Sequence, residues 1–364
     1  MTKILLVTSS LHGGGAEFVA RSWIQWLHQE GFETEIFLVS DAKRLDLARD
    51  IFVEKASAGL STRAVTAALR AKVLSWRPEI VLSLQTHPNL IAIAAVATLP
   101  KARKPAVVIS ERNLVTLGIE GSSLSHRAKI LAAKQTYRFA DMMIAISHPV
   151  AAEMVAGFGV RGDRCLVVPN PATAKVKEFR HFEGEARESL RIVVPGRLVE
   201  QKRPLLAIRA AIAARNLGEE VSVETFGTGP LENDMTELAT KNGISLVHHG
   251  WVEDWFEASP PDGVALLASL REGFGNVLVE AAAVGLPSVA ISGALGVADA
   301  IVPGITGELA FDDSPESIAQ ALIAAKKLDL RSIDQWMDRF SIASNGVLLQ
   351  RALSIVLEKQ RGSK

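Results

Sequence analysis

Short apolar, β-rich runs alternate with longer stretches of helical periodicity, and the alternation stops and restarts once along the 364 residues. In the first series, residues 4–8, 33–38, 80–84, 106–110 and 142–146 read as strands, and residues 15–30 and 62–75 place apolar side chains at helical spacing between them. Gly31 follows the last turn of the first helix, where a glycine stops it. In the second series, residues 191–195, 221–226, 245–248, 264–267 and 288–291 read as strands in turn. Alternation of this kind builds a mostly parallel sheet with helices on both faces. The length exceeds what one hydrophobic core usually serves. The expectation is an α/β chain of two doubly wound domains.

The interruption follows LVVPNP at residues 166–171, after which residues 175–188 are charged and aperiodic. This places a first domain at 1–172, a linker at 173–190, a second domain at 191–340 and a helical tail at 341–364 that packs back on the first domain. Residues 332–360 contain two helical patterns with a polar break near Ser344 and Gly346. No fixed period repeats, which excludes a solenoid.

Lys plus Arg equal Asp plus Glu at 40 each, and the single cysteine, Cys165, has no partner for an internal disulfide, so a reducing, cytoplasmic setting is expected. The N-terminal MTKILLVTSS has an apolar run of four, too short for a signal peptide. The apolar stretch at residues 90–99 is about half the length needed to cross a bilayer. Residues 1–175 carry 21 basic and 14 acidic side chains and the remainder 19 and 26. A basic N-terminal half suits an anionic surface or acceptor, each cation adding about 1 kcal/mol beside an anionic membrane. Arg63, Arg70, Lys72, Arg77, Lys101, Arg103 and Lys104 are the candidates for peripheral attachment to the cytoplasmic membrane face. No nucleic-acid partner is expected.

Ligands of open α/β sheets bind beyond the carboxyl ends of strands, so the loops there hold the candidate chemistry. After the first strand come His12, Gly13, Gly14, Gly15, Ala16 and Glu17. A glycine run opening a helix presents amides to a phosphate, or simply reverses the chain; the dinucleotide spacing G-x-G-x-x-G is absent. In GRLVEQK, Arg197 and Lys202 are spaced to straddle a diphosphate, or form a solvated set with Glu200. In SLREGFGNVLVEAAAVGLP, Glu272 lies on the loop and Glu280 about one turn into the helix, with the amides of Phe274, Gly275 and Asn276 between them. The two carboxylates suit a paired-carboxylate hydrolase, or a surface acid and a helix-dipole partner. His87 stands at a sheet end, where a lone histidine is more often structural. Glu111, Arg112 and Asn113 follow another strand, and His248 and His249 lack metal-ligand spacing. There is no D-x-D run to hold a divalent cation against a diphosphate, so metal-independent chemistry is expected.

Together these segments, spread over nearly the whole chain, resemble glycosyltransferase family four, the retaining enzymes of GT-B fold that use nucleotide sugars. The most specific part is Glu272, seven residues, then Glu280, within EGFGNVLVE and followed by GLP. The resemblance implies two Rossmann-like domains facing a central cleft that closes on its substrates, with a nucleoside diphosphate sugar, most commonly UDP-linked, as co-substrate rather than a cofactor. It gives Glu272 the hydroxyls of the donor sugar, Glu280 the ribose, and the amides of Phe274, Gly275, Asn276 and Val277 the sugar and diphosphate. Arg197 and Lys202 match the diphosphate-binding pair, and Gly13, Gly14 and Gly15 match the N-terminal glycine loop. FGTGPLE, with Gly227, and HGWVED, with Trp251 and Val252, match loops around the nucleotide base. The S-E-R-N run at residues 110–113 is similar to the branch acting on lipid-linked saccharides and bacterial surface polysaccharides, lipopolysaccharide among them, which makes Arg112 a phosphate or acceptor contact. His87 falls near a histidine that touches the donor sugar in some relatives. Asp299 stands where relatives commonly have Glu. The implied reaction is hexosyl transfer to a saccharide or lipid-linked saccharide; a sugar-nucleotide epimerase of the same fold and a non-catalytic sugar-nucleotide-binding protein are the competing readings.

Overall fold

A computed structural model describes residues 1–12, 14–40, 51–56, 59–118, 123–180 and 187–362. The chain divides into two compact units, Met1–Pro171 with Ile342–Lys364, and Ala172–Ser341. Unit 1 is built on strands β1 (Lys3–Thr8), β2 (Glu33–Leu38), β3 (Phe52–Lys55), β4 (Ile80–Leu84), β5 (Ala106–Glu111), β6 (Met142–Ala145) and β7 (Cys165–Val167). They form one parallel sheet in the order β3-β2-β1-β4-β5-β6-β7. Helices α1 (Gly15–Gln29), α2 (Thr62–Trp76), α3 (Thr86–Ala97), α4 (Leu124–Thr136) and α5 (His148–Phe158) connect them. The central strands are buried on both faces, which is why they read as unbroken apolar runs.

Unit 2 repeats the plan with β8 (Leu190–Pro195), β9 (Val221–Phe226), β10 (Ser245–His248), β11 (Gly263–Leu267), β12 (Ser288–Ile291) and β13 (Gly307–Ala310). Their order is β10-β9-β8-β11-β12-β13, again all parallel. The helices are α6 (Leu205–Asn216), α7 (Glu232–Asn242), α8 (Trp255–Ala258), α9 (Asn276–Ala283), α10 (Pro315–Ala325) and α11 (Asp334–Asp338). In each sheet the strand order reverses beside its first strand: between β1 and β4 in unit 1, and between β8 and β11 in unit 2. Those reversals are the switch points at which doubly wound sheets open a crevice for a ligand.

Two segments differ from the sequence expectation. Within residues 173–190, the described residues are held by unit 2: the Thr173 amide donates to Phe340 O, Arg180 N to Ala283 O, and the Arg187 guanidinium to Gly285 O at 2.9 Å and Leu328 O at 3.0 Å. The last helix, α12 (Ile342–Gly362), runs unbroken through Ser344 and Gly346 and belongs to unit 1. Its Leu349, Ala352, Leu353 and Val356 complete the core on the α1 side of the sheet. Gly346 serves close approach rather than a break, since a Cβ there would sit 2.2 Å from the Trp26 indole. Beside it the Trp23 indole donates to Asn345 Oδ1 at 2.6 Å, and Asn345 donates to Pro169 O.

Candidate active site

In unit 2 the switch-point loops are tied to one another. The loop after β8 carries Arg197 and Lys202, and the loop after β11 carries Glu272 through Gly275. Leu270 N donates to Gln201 O at 2.9 Å, and Arg203 Nε to Ala268 O at 3.0 Å. Arg203 itself adopts φ +48°, a left-handed conformation that a non-glycine residue holds only when its surroundings enforce it. Across this junction Lys202 Nζ meets Glu272 Oε1 at 2.5 Å, with both side chains mostly buried. Lys202 therefore pairs with Glu272 and not with Glu200. On its far side Glu272 N donates to Ala294 O at 3.2 Å, locking the loop to the stretch after β12. There Leu295 is a second non-glycine residue at positive φ, +49°. Asp299 closes the short 3-10 turn Gly296–Asp299 that follows.

Arg197 is exposed, and among the described residues its guanidinium makes no hydrogen bond or ion pair. Gly275 is the N-cap of α9 at φ +96° and supplies no side-chain cap, which leaves the positive end of the helix dipole without a side-chain acceptor. Phe274 is buried against Phe340, with ring centroids 5.4 Å apart, so only its backbone is available to a ligand. Asn276 and Val277, the first two residues of α9, are half-buried.

Glu280 does not face water. It is buried on α9 and accepts a hydrogen bond from Trp255 Nε1 at 2.8 Å. Burial pushes its carboxyl above the usual carboxylate range, while the Trp255 bond and the charge of Lys175 pull it down and Asp254 pushes it up. Glu272 and Glu280 thus have different partners, an ammonium and an indole, which is not the shared environment of an acid and base pair. Trp255 packs on Phe226, and Phe226 stacks on His249 at 4.4 Å and 7°. His249 Nε2 bonds Glu224 at 2.8 Å, and the ring nitrogens of His248 bond Thr225 and Thr236. Trp251 is 69% exposed in the loop beyond β10, with Val252 half-buried beside it. Gly227 and its neighbour Gly229 have a packing reason to be glycine, because Cβ atoms there would lie 2.0 Å from Gly196 O and 2.2 Å from Leu198 O.

The unit 1 candidates lie at the carboxyl ends of β1, β4 and β5. Gly13 falls outside the described residues; Gly14 is the exposed N-cap of α1 and Gly15 its first residue. Gln85 caps α3 at φ +77°, a strained conformation for a non-glycine residue, and donates from Nε2 to Glu17 Oε1 at 3.2 Å. His87 is the second residue of α3 and half-buried; burial lowers its pKa and the charge of Lys129 lowers it further. Glu111 is the buried last residue of β5 and accepts hydrogen bonds from Tyr137 Oη and from Asn89 Nδ2 at 3.2 Å. Asn89 also donates to Ser110 O at 2.9 Å and accepts from Ser83 Oγ at 2.7 Å. Burial raises the Glu111 carboxyl to about 7, against hydrogen bonds from Tyr137, Thr86 and Asn89. The neighbouring Arg112 guanidinium donates to Asn170 Oδ1 and Ser110 Oγ and lies 5.1 Å from the Trp23 ring. Burial pushes it down to about 9, with the Glu111 charge opposing.

Three polar atoms at these strand ends, His12 Nδ1, Gln85 Oε1 and Arg112 Nε, are buried with no hydrogen-bond partner among the described residues. Buried polar atoms left this way cost stability unless something meets them. Gln85 and Trp255 were not singled out by the sequence, and Glu111 was named there only as part of the S-E-R-N run, with no role of its own. A positive φ on glutamine leaves no trace in a sequence.

Two family models cover most of the chain. One described as Glycosyltransferase Family 4 matches residues 13–174, and one described as Glycosyl transferases group 1 matches residues 175–336. A D-inositol 3-phosphate glycosyltransferase of Kribbella flavida is 29% identical over 221 residues, 54% of this chain and 51% of that protein. The chain spans about half the length of the curated relatives it matches. Among solved structures, the lipopolysaccharide outer core galactosyltransferase WaaB in its apo form superposes with a TM-score of 0.79 at 19% identity, over 97% of this chain and 99% of that one. Anabaena HepE in complex with UDP-glucose superposes with a TM-score of 0.72 at 17% identity, over 97% and 100%.

Proposed function

We propose that this chain, which belongs to the group 1, family four glycosyltransferases of GT-B fold, moves a hexosyl-type sugar from a nucleoside diphosphate sugar to a hydroxyl of a saccharide or lipid-linked saccharide, with retention and without a catalytic metal. The observation that carries the reading is the Lys202–Glu272 pair set beside the unpartnered Arg197 and the uncapped start of α9. With no donor bound, Lys202 and Glu272 neutralise each other. A sugar diphosphate divides them: the ammonium turns to the phosphate and the carboxylate accepts from a sugar hydroxyl. Arg197 and the helix end then complete a cationic cradle without a metal, in line with a sequence that has no D-x-D run.

Glu280 accepts from Trp255 through Oε2 and keeps Oε1 for the ribose hydroxyls, whose hydrogen bonds favour its charged form. A UDP-linked donor is favoured, since a structural neighbour holds UDP-glucose. Breaking the bond from the anomeric carbon to the phosphate oxygen gathers negative charge on the diphosphate, and stabilising that charge is the main work of Arg197 and Lys202. The acceptor oxygen bonds the anomeric carbon on the face the phosphate leaves, and its proton passes to the departing phosphate oxygen. No protein nucleophile takes part. Arg112 and His87 are the acceptor-side groups, and the buried unpartnered atoms at the ends of β1, β4 and β5 support that side as a polar site. The acceptor belongs to a bacterial glycan built at the cytoplasmic face of the membrane.

The test is a screen of nucleotide sugars by released nucleoside diphosphate, followed by Arg197→Ala and Glu272→Ala. Arg197→Ala lowers kcat about 10²- to 10³-fold, the usual cost of losing one group that stabilises developing charge; Glu272→Ala removes the acceptor for a sugar hydroxyl and leaves Lys202 without its partner, and lowers kcat/KM for the donor about tenfold or more. Unchanged turnover in both folded variants overturns the reading. Interconversion of free nucleotide sugars without an acceptor would establish the epimerase instead.

A further inference from the structure

Glu280 is the fifth residue of α9 and sits among Leu278, Val279, Ala281, Ala282 and Ala283, all of them buried. A carboxylate in such a place needs a hydrogen-bond donor, because burial penalises its charge. α9 has none to offer, since its neighbouring side chains are apolar and its own amides belong to the helical ladder. The donor comes from α8, a helix of four residues whose first, Trp255, is buried and reaches Glu280 Oε2 through Nε1 at 2.8 Å. Among the described residues this is the only hydrogen bond of the Glu280 carboxylate, so Oε1 is unclaimed. The charges that reach it are those of Lys175, in the 3-10 turn Ala172–Lys175, and of Asp254, the residue before α8.

The indole is held in its direction. Its ring lies 6.4 Å from that of Phe226 and 6.0 Å, edge-on, from that of Phe256. The Phe256 carbonyl accepts from Arg180 Nη2 at 3.1 Å, and Arg180 N donates to Ala283 O at the end of α9. α8 is thus tied to α9 twice, once at the indole and once through Arg180. An apolar ring would fill the same place without an N–H, so the bond to Glu280 is what distinguishes tryptophan there.

We propose that Trp255 is a positioning residue for the nucleotide: its indole occupies Oε2 of Glu280 and reserves Oε1 as an acceptor for the cis-diol of a ribonucleoside diphosphate. The inference rests on the reading of Glu280 as the ribose contact. It makes the choice of ribose over deoxyribose depend on a residue that does not touch the sugar. An indole N–H only donates, so a proton on this carboxyl would have to sit on Oε1, where it would turn the acceptor into a donor. The same indole bond favours the charged carboxylate against the effect of burial, with Lys175 helping and Asp254 opposing.

The experiment is calorimetric binding of UDP and of 2′,3′-dideoxy-UDP to the unaltered protein, to Trp255→Phe and to Glu280→Gln. The unaltered protein binds UDP about tenfold or more tightly than the dideoxy compound, the worth of a charged hydrogen bond. Trp255→Phe, which keeps a ring against Phe226, weakens UDP binding about tenfold and leaves the dideoxy compound unaffected. Its loss shrinks as pH rises, because without the indole the carboxyl holds its proton to higher pH; Glu280→Gln shows no such recovery, while the phosphate's own titration is common to all three proteins. Equal weakening of both nucleotides makes Trp255 a packing residue only and overturns the proposal. Discrimination lost in Glu280→Gln but intact in Trp255→Phe overturns the proposal and leaves the ribose reading standing, whereas discrimination intact in both removes that reading as well. The unaltered protein supplies a second test should Trp255→Phe fold poorly. Of its six indole N–H resonances, the one displaced in Glu280→Gln responds to pH in the free protein, and UDP suppresses the response while 2′,3′-dideoxy-UDP does not. An identical response with and without UDP overturns the proposal.

Discussion

The switch-point loops of the two units solve the same problem differently. In unit 2 the loops after β8, β11 and β12 are bonded to each other through Leu270, Gln201, Arg203, Ala268, Glu272 and Ala294. Glycines at 227 and 229 let a further loop press onto them. In unit 1 the strand ends instead keep His12 Nδ1, Gln85 Oε1 and Arg112 Nε unsatisfied among the described residues, with strain at Gln85 and a carboxyl at Glu111 that burial raises to about 7. A nucleotide diphosphate has a fixed shape and charge, and a site for it gains by being assembled before the ligand arrives. The unspent hydrogen-bonding capacity of unit 1 suits the partner that varies between enzymes of one fold, the acceptor.

The sharpest way to break this contrast is to remove one cation from each side. Lys202→Ala lowers kcat about 10²- to 10³-fold and leaves acceptor KM nearly unchanged. Arg112→Gln raises acceptor KM about tenfold or more, the worth of one charged hydrogen bond, with a smaller change in kcat. Steady-state kinetics with the acceptor varied checks both, and an interchange of the two patterns removes the assignment of donor to unit 2.

Next in size is the pH dependence of stability. An unfolded glutamate titrates near 4.5 and folded Glu111 at about 7. Across that window the folded state keeps a proton that the unfolded state has released, so stability is fully present below 4.5, falls as pH rises, and levels above 7. The loss amounts to about 3 kcal/mol. Glu280 contributes with the same sign, so Glu111→Gln flattens the slope without abolishing it. Urea midpoints at mildly acidic and mildly alkaline pH measure this, and an unaltered slope in Glu111→Gln removes Glu111 as its source.

The strands most legible in the sequence were those with neighbours on both sides. β1, β4, β5, β8 and β11 are central, buried on both faces, and appear as apolar runs within a residue or so of their limits. β3 (FVEK) and β13 (GELA) escaped because neither contains an apolar run, and Phe52 of β3 is exposed, whereas the edge strand β10 (SLVH) was read at its full length, so edge position alone does not hide a strand. Gly346 looked like a helix break because a sequence does not show that Trp26 lies against it. In the site, Arg197, Lys202, Glu272 and Glu280 were legible as a motif, while the pairing of Lys202 with Glu272 and the burial of Glu280 under Trp255 depend on residues brought from other loops. Glu111 is the extreme case, since its partners Asn89 and Tyr137 come from α3 and from the turn after α4.

The smallest effects separate glycines that look alike in the sequence. Gly14 and Gly227 both sit in glycine-containing loops at strand ends. A Cβ on Gly14 meets nothing nearer than Glu17 Oε2 at 3.5 Å, and its φ of −75° suits any residue. A Cβ on Gly227 would lie 2.0 Å from the Gly196 carbonyl, where backbone must move to admit it. Gly227→Ala therefore destabilises by about 1–3 kcal/mol, the usual cost of forcing atoms into a filled space, and disturbs donor binding by shifting the loop that carries Arg197. Gly14→Ala changes stability by less than about 0.5 kcal/mol. If Gly14 lies close to a bound phosphate or acceptor, the added methyl raises KM with the fold intact. Chemical denaturation and donor and acceptor KM for both variants give the result. Equal destabilisation would mean that the first loop is packed as tightly as the second, and the contrast between a closed donor unit and an open acceptor unit would fail at its simplest point.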